Sequence, residues 1–252
     1  MGVFRFRQFS VINERSALKL GTDAVLLGAA MTLPAASPGP LCLDIGTGTG
    51  VIALMLAQRC PRARIRGIDI DLPSSEEAAE NFARSPWPDR LTALHLSLEQ
   101  LDTRLDVSLD RAATAEGEGC QRFDLIFSNP PYYDTSLLNP DSREAEARHS
   151  CSLSYRDILR FAARRLSPHG TLSLILPAQS ESELLRFAAS CGLSLFRIVR
   201  IRTTPKKPFR RIIAEFSLPS GLCQSPVQEE LTLQDGKRRS RQYEELTREF
   251  YL

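Results

Sequence analysis

The chain has 252 residues, of which 42% are hydrophobic and 25% charged, and its formal net charge is +2. This composition is typical of a globular domain that buries a core without disulfides or metals, and no apolar run reaches the roughly 20 residues that cross a membrane. The N-terminus lacks the apolar region of a secretion signal, and the six cysteines are scattered without a CxxC pair. The sequence therefore predicts a cytoplasmic protein with reduced thiols, no metal site and no membrane contact.

Residues 1–33 are expected to form a short extension ahead of the main domain. The run FRFRQF, from Phe4 to Phe9, predicts a strand or hairpin whose aromatic side chains pack into the protein rather than stack on bases. A helix capped near Thr22 or Asp23 is expected next.

From residue 41 onward, short apolar runs alternate with segments of helical periodicity, a pattern typical of a parallel β-sheet covered by helices. The predicted strands span 41–45, 64–68, 92–96, 123–127 and 171–176, and the predicted helices span 51–58, 75–83, 155–166 and 182–189. Ser74 and Glu77 have the spacing of a capping box at the start of the second helix. Two further strands, 194–201 and 211–216, are expected to close the sheet as an antiparallel hairpin.

These elements predict an α/β fold with a mostly parallel, seven-stranded sheet flanked by helices. We expect one domain over residues 1–217 and a polar C-terminal tail over 218–252 that docks only through Tyr243, Phe250 and Tyr251. The sequence leaves the oligomeric state open and favours a monomer.

A glycine-rich loop follows the first of the predicted strands. Gly46, Gly48 and Gly50 let the backbone turn sharply and approach a ligand closely. The dinucleotide-binding fingerprint would need another glycine at position 51, which is a valine, and Asp44 would repel a phosphate but attract a cationic amino group. Asp69 is placed at the end of the next strand, where a carboxylate can accept both hydroxyls of a ribose.

This pattern resembles the Rossmann-like class I family of S-adenosylmethionine-dependent methyltransferases. The resemblance implies that the loop residues Asp44, Gly46, Gly48 and Gly50 hold the methionine part of S-adenosylmethionine and that Asp69 binds its ribose. Ser97, which follows the third predicted strand, lies where many members of the family have an acid near the adenine. A nicotinamide enzyme and a purely structural turn are the alternatives.

The tetrad Asn129-Pro130-Pro131-Tyr132 follows the fourth predicted strand. The prolines stiffen the loop, and the Pro130 carbonyl and the Asn129 side chain offer acceptors beside the flat face of Tyr132. Such acceptors suit a planar NH2 group, because accepting both hydrogens turns the nitrogen lone pair towards a methyl donor without a strong general base. The tetrad resembles the catalytic motif of methyltransferases that act on adenine N6, guanine N2, cytosine N4 or glutamine, with Pro131 as scaffold. A structural turn is the alternative.

Several other stretches narrow the resemblance. They are the run FRFRQF, residues 19–28, 81–87 and 147–153, and the strand that begins at Arg210 and Arg211. Over residues 4–217 the chain is similar to the bacterial tRNA(Val) adenine N6-methyltransferase family, which methylates the adenine 3′ of the anticodon. The resemblance implies S-adenosylmethionine as cofactor and the anticodon loop of a tRNA as partner. A glutamine N5-methyltransferase of release factors, a guanine N2-methyltransferase of ribosomal RNA and a non-catalytic binding module are the other hypotheses.

The positive charge is concentrated between residues 197 and 211, a stretch without an acid, and in a second run over 237–241. Such clusters favour an anionic partner, although a solvated charged face is the alternative interpretation. The residues expected to contact RNA phosphates are Arg202, Lys206, Lys207, Arg210 and Arg211, together with Arg148 beside the acceptor tetrad.

Overall fold

The structure is a computed structural model that describes residues 2–17, 19–34, 39–112, 121–131, 153–219 and 225–251. Its elements alternate between strands and helices through the middle of the chain. In chain order they are β1 (Val3–Arg5), β2 (Ser10–Ile12), α1 (Thr22–Ala30), β3 (Leu41–Ile45), α2 (Val51–Arg59), β4 (Arg64–Asp69), α3 (Leu72–Ala83), β5 (Leu91–His95), α4 (Leu98–Ala112), β6 (Phe123–Ser128), α5 (Tyr155–Arg165), β7 (Leu166–Pro177), α6 (Glu181–Ser190), β8 (Ser194–Arg202), β9 (Arg211–Ser217), β10 (Val227–Thr232), β11 (Gln234–Asp235), β12 (Arg238–Arg239) and α7 (Arg241–Thr247).

Eight strands form one central sheet in the order β10-β8-β9-β7-β6-β3-β4-β5. All seven predicted strands belong to it, and β9 runs antiparallel to both β7 and β8, as predicted for a closing hairpin. The other pairings are parallel. The expected α/β, Rossmann-like architecture is confirmed, with an eighth strand that the sequence did not predict.

The sheet is buried on both faces by two layers of helices. Neighbouring residues of β3 show this, because Cys42 packs into the cluster that contains α1, α2 and α3, whereas Leu43 packs into the cluster of α4, α5 and α6. Strands with two buried faces need continuous apolar runs, which is why their sequences were recognisable. Within the described ranges, no helix is both long and apolar enough to cross a membrane.

The N-terminal extension forms the predicted hairpin, in which β1 and β2 pair antiparallel. Phe6 and Phe9 are buried with their rings stacked at 4.6 Å between centroids, and Phe9 also meets Trp87 edge-on. The expected packing is confirmed for Phe6 and Phe9, whereas Phe4 is exposed.

The predicted cap of α1 is confirmed to within one residue, whereas the predicted cap of α3 is wrong. Helix α1 is capped by Gly21 without a side-chain hydrogen bond, and Asp23 lies inside its first turn. Helix α3 is capped by Asp71, whose carboxylate accepts a hydrogen bond from the backbone amide of Ser74 at 3.0 Å. Because the chain already enters the helix at residue 72, Glu77 is too far along α3 to close a capping box and serves another purpose.

The C-terminal segment contributes more than the tail expected from the sequence. Strand β10 pairs in parallel with β8 at the edge of the sheet, and the β11–β12 hairpin and α7 follow it. Leu231, Tyr243 and Phe250 are buried against the cluster around α1. The polar sequence of β10 hid this strand, because four of its six residues are exposed.

Candidate functional site

The sequence-predicted site residues meet at one edge of the sheet, where the parallel strands end. The glycine loop, residues 46–50, follows β3, Asp69 ends β4, and Ser97 lies two residues beyond β5. Asn129 follows β6, the strand adjacent to β3. The carboxyl ends of parallel strands are the usual place for a ligand in an open α/β sheet.

The glycine loop has the backbone shape that only glycine adopts easily. Gly46, Gly48 and Gly50 all have positive φ, at 71°, 56° and 79°. At Gly50 an added Cβ would lie 2.4 Å from a ring carbon of Phe82, so α3 packs directly against the turn that starts α2. The loop is thus rigid, and its path close to β4 is fixed by hydrogen bonds from the amides of Gly46 and Thr47 to the Ile68 carbonyl, both 2.9 Å.

Asp44 is a fully buried carboxylate at the end of β3. Its Oδ2 accepts a hydrogen bond from the Thr47 hydroxyl at 2.9 Å, whereas Oδ1 has no hydrogen-bond partner in the described part of the chain. Burial raises the pKa of Asp44 from 3.8 to about 7, because the charged form loses its hydration. A buried acceptor without a donor is costly, so this oxygen fits the cationic amino group of a ligand such as the methionine part of S-adenosylmethionine.

Asp69 is half-buried, and its two oxygens are held by backbone amides. Oδ2 accepts from Gly48 and Oδ1 accepts from Asp71, both at 2.9 Å. Burial raises the pKa of Asp69, while these two hydrogen bonds act in the opposite direction. Each oxygen retains further acceptor capacity, so the fixed carboxylate suits a pair of ligand hydroxyls.

A cleft of about 570 Å³ opens beside these residues at the ends of β3, β4 and β5. Ile70 and Leu96 contribute apolar surface and Asp69 contributes a carboxylate, and the lining also includes charged side chains of α4 and α5. This volume and lining suit a nucleoside, with apolar surface for the base and a carboxylate for the sugar. Ser97 also lines the cleft, but its hydroxyl accepts from the Gln100 amide at 3.1 Å and so caps α4.

The acceptor loop, residues 129–132, starts directly beside the glycine loop. Ser128, the last residue of β6, is buried and donates its hydroxyl to the Ile45 carbonyl at 2.6 Å. Since Asp44 pairs with Phe127, the same register places half-buried Asn129 level with Gly46, about 5 Å away across adjacent strands. Pro130 is buried and Pro131 is half-buried, whereas Tyr132 and Arg148 lie outside the described residues.

A loop of the N-terminal extension is attached to α3 next to the site. The fully buried carboxylate of Glu77 accepts hydrogen bonds from the backbone amides of Glu14, Arg15 and Ser16 at 2.8, 2.7 and 3.2 Å. Three successive amides on one carboxylate form a strong, charge-assisted attachment. This role of Glu77 was not predicted from the sequence.

Asn81, one turn further along α3, connects the same extension to the glycine loop. Its side-chain oxygen accepts from the Ile12 amide at 2.8 Å, and its side-chain nitrogen donates to the carbonyls of Ile12 and Thr49 at 3.0 and 2.9 Å. Ser16 lies so close that an added Cβ on Gly48 would be 3.4 Å from its hydroxyl oxygen. The extension is therefore part of the wall around the glycine loop. The sequence signal for this attachment was the spacing of Glu77 and Asn81, two polar residues four positions apart on a mostly buried helix face.

The basic residues between 197 and 211 divide into paired and free groups. Arg197 forms ion pairs with Glu215 and Glu229, both at 2.8 Å, and Arg200 pairs with Glu181. These charges are therefore neutralised by acids that are distant in sequence. The positive excess of this region lies further along, at the sheet edge that carries the acceptor loop.

That excess is centred on the connector between β8 and β9, residues 203–210. At its ends, Arg202 pairs with Glu230 at 3.1 Å and Arg211 pairs with Asp23 at 2.7 Å. Three further cations are exposed and have no carboxylate partner among the residues that the structure describes: Lys206, Lys207 and Arg210.

The described residues at this edge offer hydrogen-bond acceptors rather than metal ligands. Within that part of the chain, no group of three or more His, Cys, Asp or Glu side chains could hold a metal ion. Asp44 suits a cation, Asp69 suits hydroxyls, and the acceptor loop suits an amine. Two molecules bound there would meet at the boundary between the glycine loop and the acceptor loop.

Comparisons with known proteins agree with this geometry. The sequence profile of a family described as a methyltransferase domain matches residues 42–129, which run from β3 to the acceptor loop. Among solved structures, a protein described as a predicted O-methyltransferase from Agrobacterium tumefaciens superposes with a TM-score of 0.62 at 18% identity, covering 90% of this chain and 96% of that one. At this identity the likeness shows the fold alone.

Curated relatives are similar over nearly the whole chain. A tRNA1(Val) (adenine(37)-N6)-methyltransferase from Bacteroides fragilis is 38% identical over 249 residues, which cover 99% of this chain and 97% of that protein. A protein with the same name from Porphyromonas gingivalis is 40% identical over 252 residues, which cover 99% of this chain and 94% of that protein.

Proposed function

The chain belongs to the tRNA1(Val) (adenine(37)-N6)-methyltransferase family, and from this membership we propose that it methylates N6 of adenine 37 in tRNA1(Val) with S-adenosylmethionine. Most support comes from the similarity, which extends over 99% of the chain and includes the acceptor loop. The rival activities, glutamine methylation of release factors and guanine N2 methylation of ribosomal RNA, use a similar loop, but the two relatives described above carry the tRNA adenine activity in their names.

Residues on three strand ends would hold the cofactor, which supplies an electrophilic methyl group when it is bound. Asp44 and the glycine loop would bind its amino acid part, because the Asp44 Oδ1 atom needs a cationic donor. Asp69 would accept the ribose hydroxyls. The cleft beside Ile70, Leu96 and Ser97 would take the adenine ring.

The acceptor loop would orient the target amine. An exocyclic amine is a poor nucleophile because its lone pair is delocalised into the ring. The Asn129 side chain and the Pro130 carbonyl accept its two hydrogens, which favours a tetrahedral nitrogen whose lone pair is free to attack. Tyr132 would stack on the base, and Pro131 would keep the loop stiff. The proton leaves only after the nitrogen has become positively charged, so water suffices as the base.

We place the target base in the anticodon loop, because position 37 follows the anticodon. A loop base is already free of Watson–Crick pairing, and moving it into the site costs less than opening a duplex. The exposed connector cations Lys206, Lys207 and Arg210 lie on the same edge as the acceptor loop and suit RNA phosphates. With this proposed activity on tRNA, we expect the protein to act in the cytoplasm.

Methyl transfer to defined RNAs tests the proposed function. The purified full-length protein is incubated with methyl-labelled S-adenosylmethionine and either total tRNA, ribosomal RNA or release factor from a strain that lacks this enzyme. We expect label in one tRNA, recovered after nucleoside digestion as N6-methyladenosine. Label in protein, or in N2-methylguanosine, would reject the assignment.

Two controls make this experiment specific. A tRNA1(Val) transcript with guanine instead of adenine at position 37 should accept no methyl group. The Asn129→Ala variant should also be inactive on the unchanged transcript. Methylation of the substituted transcript at another position would reject adenine 37 as the target while leaving tRNA methylation intact.

A further inference from the structure

A second cavity, of about 560 Å³, lies at the same edge of the sheet as the acceptor loop but is separate from the cofactor cleft. It opens between the start of α1, the connector between β8 and β9, and the C-terminal segment. We call it the basic recess and define it by the four arginines in its lining, Arg202, Arg210, Arg211 and Arg239. None of the described residues of the glycine loop or the acceptor loop contributes to it.

The charge of the basic recess favours an anion. Among the residues that the structure describes, four arginines and one aspartate, Asp23, line it, which leaves three positive charges in excess. Arg211 is satisfied by Asp23, and Arg202 by Glu230 outside the cavity. Arg210 and Arg239, in contrast, have no carboxylate partner among the described residues.

Arg239 is held in place without being neutralised. Its guanidinium carbon lies 4.5 Å from the centroid of the Tyr251 ring and 5.8 Å from that of Tyr243. The two tyrosines are in turn joined through their hydroxyls at 3.2 Å. Cation–π contacts fix the plane of a guanidinium but leave its N–H donors unused, which preorganises it for a phosphate.

The position of the basic recess suits the backbone of a bound RNA. Strand β9 lies two strands away from β6, the strand that ends at Ser128. Along the strand direction, Ser128 pairs with Leu174 of β7, and Arg211 of β9 pairs with Pro177, which lies three residues beyond Leu174. These steps put Arg211 about 14 Å from the start of the acceptor loop, with roughly 4.8 Å between strands and 3.3 Å per residue. A stacked strand covers this distance in about four nucleotides at 3.4 Å each.

We propose that the basic recess binds a backbone phosphate of the tRNA, about four nucleotides from the methylated adenine, with Arg210 and Arg239 as its direct donors. This inference rests on the proposed function. It gives the C-terminal segment a role in substrate binding, since Arg239 and both tyrosines that hold it belong to that segment.

Binding of the full-length protein to the anticodon stem-loop of tRNA1(Val) tests the inference. Arg239→Ala should raise Kd about five- to tenfold and lower the slope of log K against log salt by about one. Arg238→Ala is the matched control, because Arg238 is the preceding residue, also exposed, and does not line the recess. Equal affinity and salt slope for the two variants would overturn the proposal.

A second variant guards against a local folding defect. Arg210→Ala removes an exposed side chain from the other wall of the recess, and we expect the same loss of affinity and salt slope. Affinity for S-adenosylmethionine should stay at the wild-type value in both variants. If Arg239→Ala alone weakens binding, the recess is not the phosphate site.

Stem-loops with one neutral methylphosphonate locate the phosphate. As this linkage is moved one nucleotide at a time, one position should weaken wild-type binding and leave Arg239→Ala binding unchanged. Strictly additive losses at every position would contradict the proposal. Binding is measured without methyl transfer, so the two proposals can fail separately. If the protein binds the stem-loop but does not methylate it, only the proposed function is contradicted. If the protein methylates the tRNA and the Arg239→Ala variant binds with normal affinity, only the role of the basic recess is contradicted.

Discussion

Replacement of Asp44 by asparagine should make the cofactor-free protein more stable and should weaken its binding of S-adenosylmethionine. The pKa of Asp44 rises from 3.8 to about 7 because burial strips the charged form of its hydration, and the negative charge of Asp69 acts in the same direction. A rise of this size means that the ionised group costs about 4 kcal/mol in the cofactor-free protein above pH 7. Asparagine has nearly the same shape and carries no charge.

The sign of the pH dependence follows from the raised pKa of Asp44. Since the folded protein binds this proton more tightly than the unfolded chain, its stability is greatest below 3.8 and falls until pH passes about 7. The cost of the charge is about 2 kcal/mol at pH 5 and about 4 kcal/mol at pH 8. The stability advantage of Asp44→Asn should therefore grow by roughly 2 to 3 kcal/mol between these values, as measured by urea unfolding.

The affinity for the cofactor should increase with pH, whereas the stability of the cofactor-free protein decreases. Only the ionised carboxylate attracts the ammonium group, so the wild-type Kd for S-adenosylmethionine should be roughly tenfold higher at pH 5.5 than at pH 7 by calorimetry, a range in which the amine of the ligand stays mostly protonated. The variant should bind weakly at both values. 5′-Methylthioadenosine, which keeps the ribose and lacks the amino acid part, is the control ligand, and its affinity should not depend on Asp44. A flat wild-type profile, or a variant that is less stable by equal amounts at pH 5 and pH 8, would refute this reasoning.

Three further substitutions separate the roles of the site. Asn129→Ala should lower kcat by about 10²- to 10³-fold while the Kd for S-adenosylmethionine stays within about twofold. Asp69→Ala should mainly weaken binding of the cofactor. Equal loss of cofactor affinity in both variants would contradict this division of roles. Glu77→Gln should cost about 3 kcal/mol of unfolding free energy and weaken the cofactor, because three amides lose a charged acceptor, while the exposed control Glu80→Gln should cost less than about 0.5 kcal/mol. Gly50→Ala should cost more than about 2 kcal/mol in thermal unfolding, since its Cβ would meet Phe82; wild-type stability would contradict that contact.

The buried strands were predictable because their environment is encoded locally. Strand β3 begins and ends at the predicted residues, and β4 and β6 extend one residue beyond their predictions. Each is covered on both faces, so an apolar run bounded by turn residues marks it. The glycine loop and the acceptor tetrad were recognisable for a related reason, since their backbone shapes require particular residues in consecutive positions.

Features that depend on distant partners were not predictable. Strand β10 exists because its backbone pairs with β8, and the side chains of Glu229 and Glu230 meet Arg197 and Arg202 on that strand. The local sequence around β10 shows only polarity. Glu77 was misassigned for the same reason, because its partners lie more than 60 residues away in the N-terminal extension.

The short hydrogen bond from Ser128 to the Ile45 carbonyl has a consequence for engineering. It lies within the sheet, at the last residues of two adjacent strands, and the ladder beneath it fixes how far apart the two loops begin. The methyl donor and the methyl acceptor are therefore aligned by the two strands and not by either loop. A foreign loop grafted after Ser128 would keep that alignment. The group that receives the methyl could therefore be changed without altering the glycine loop that holds the methyl donor.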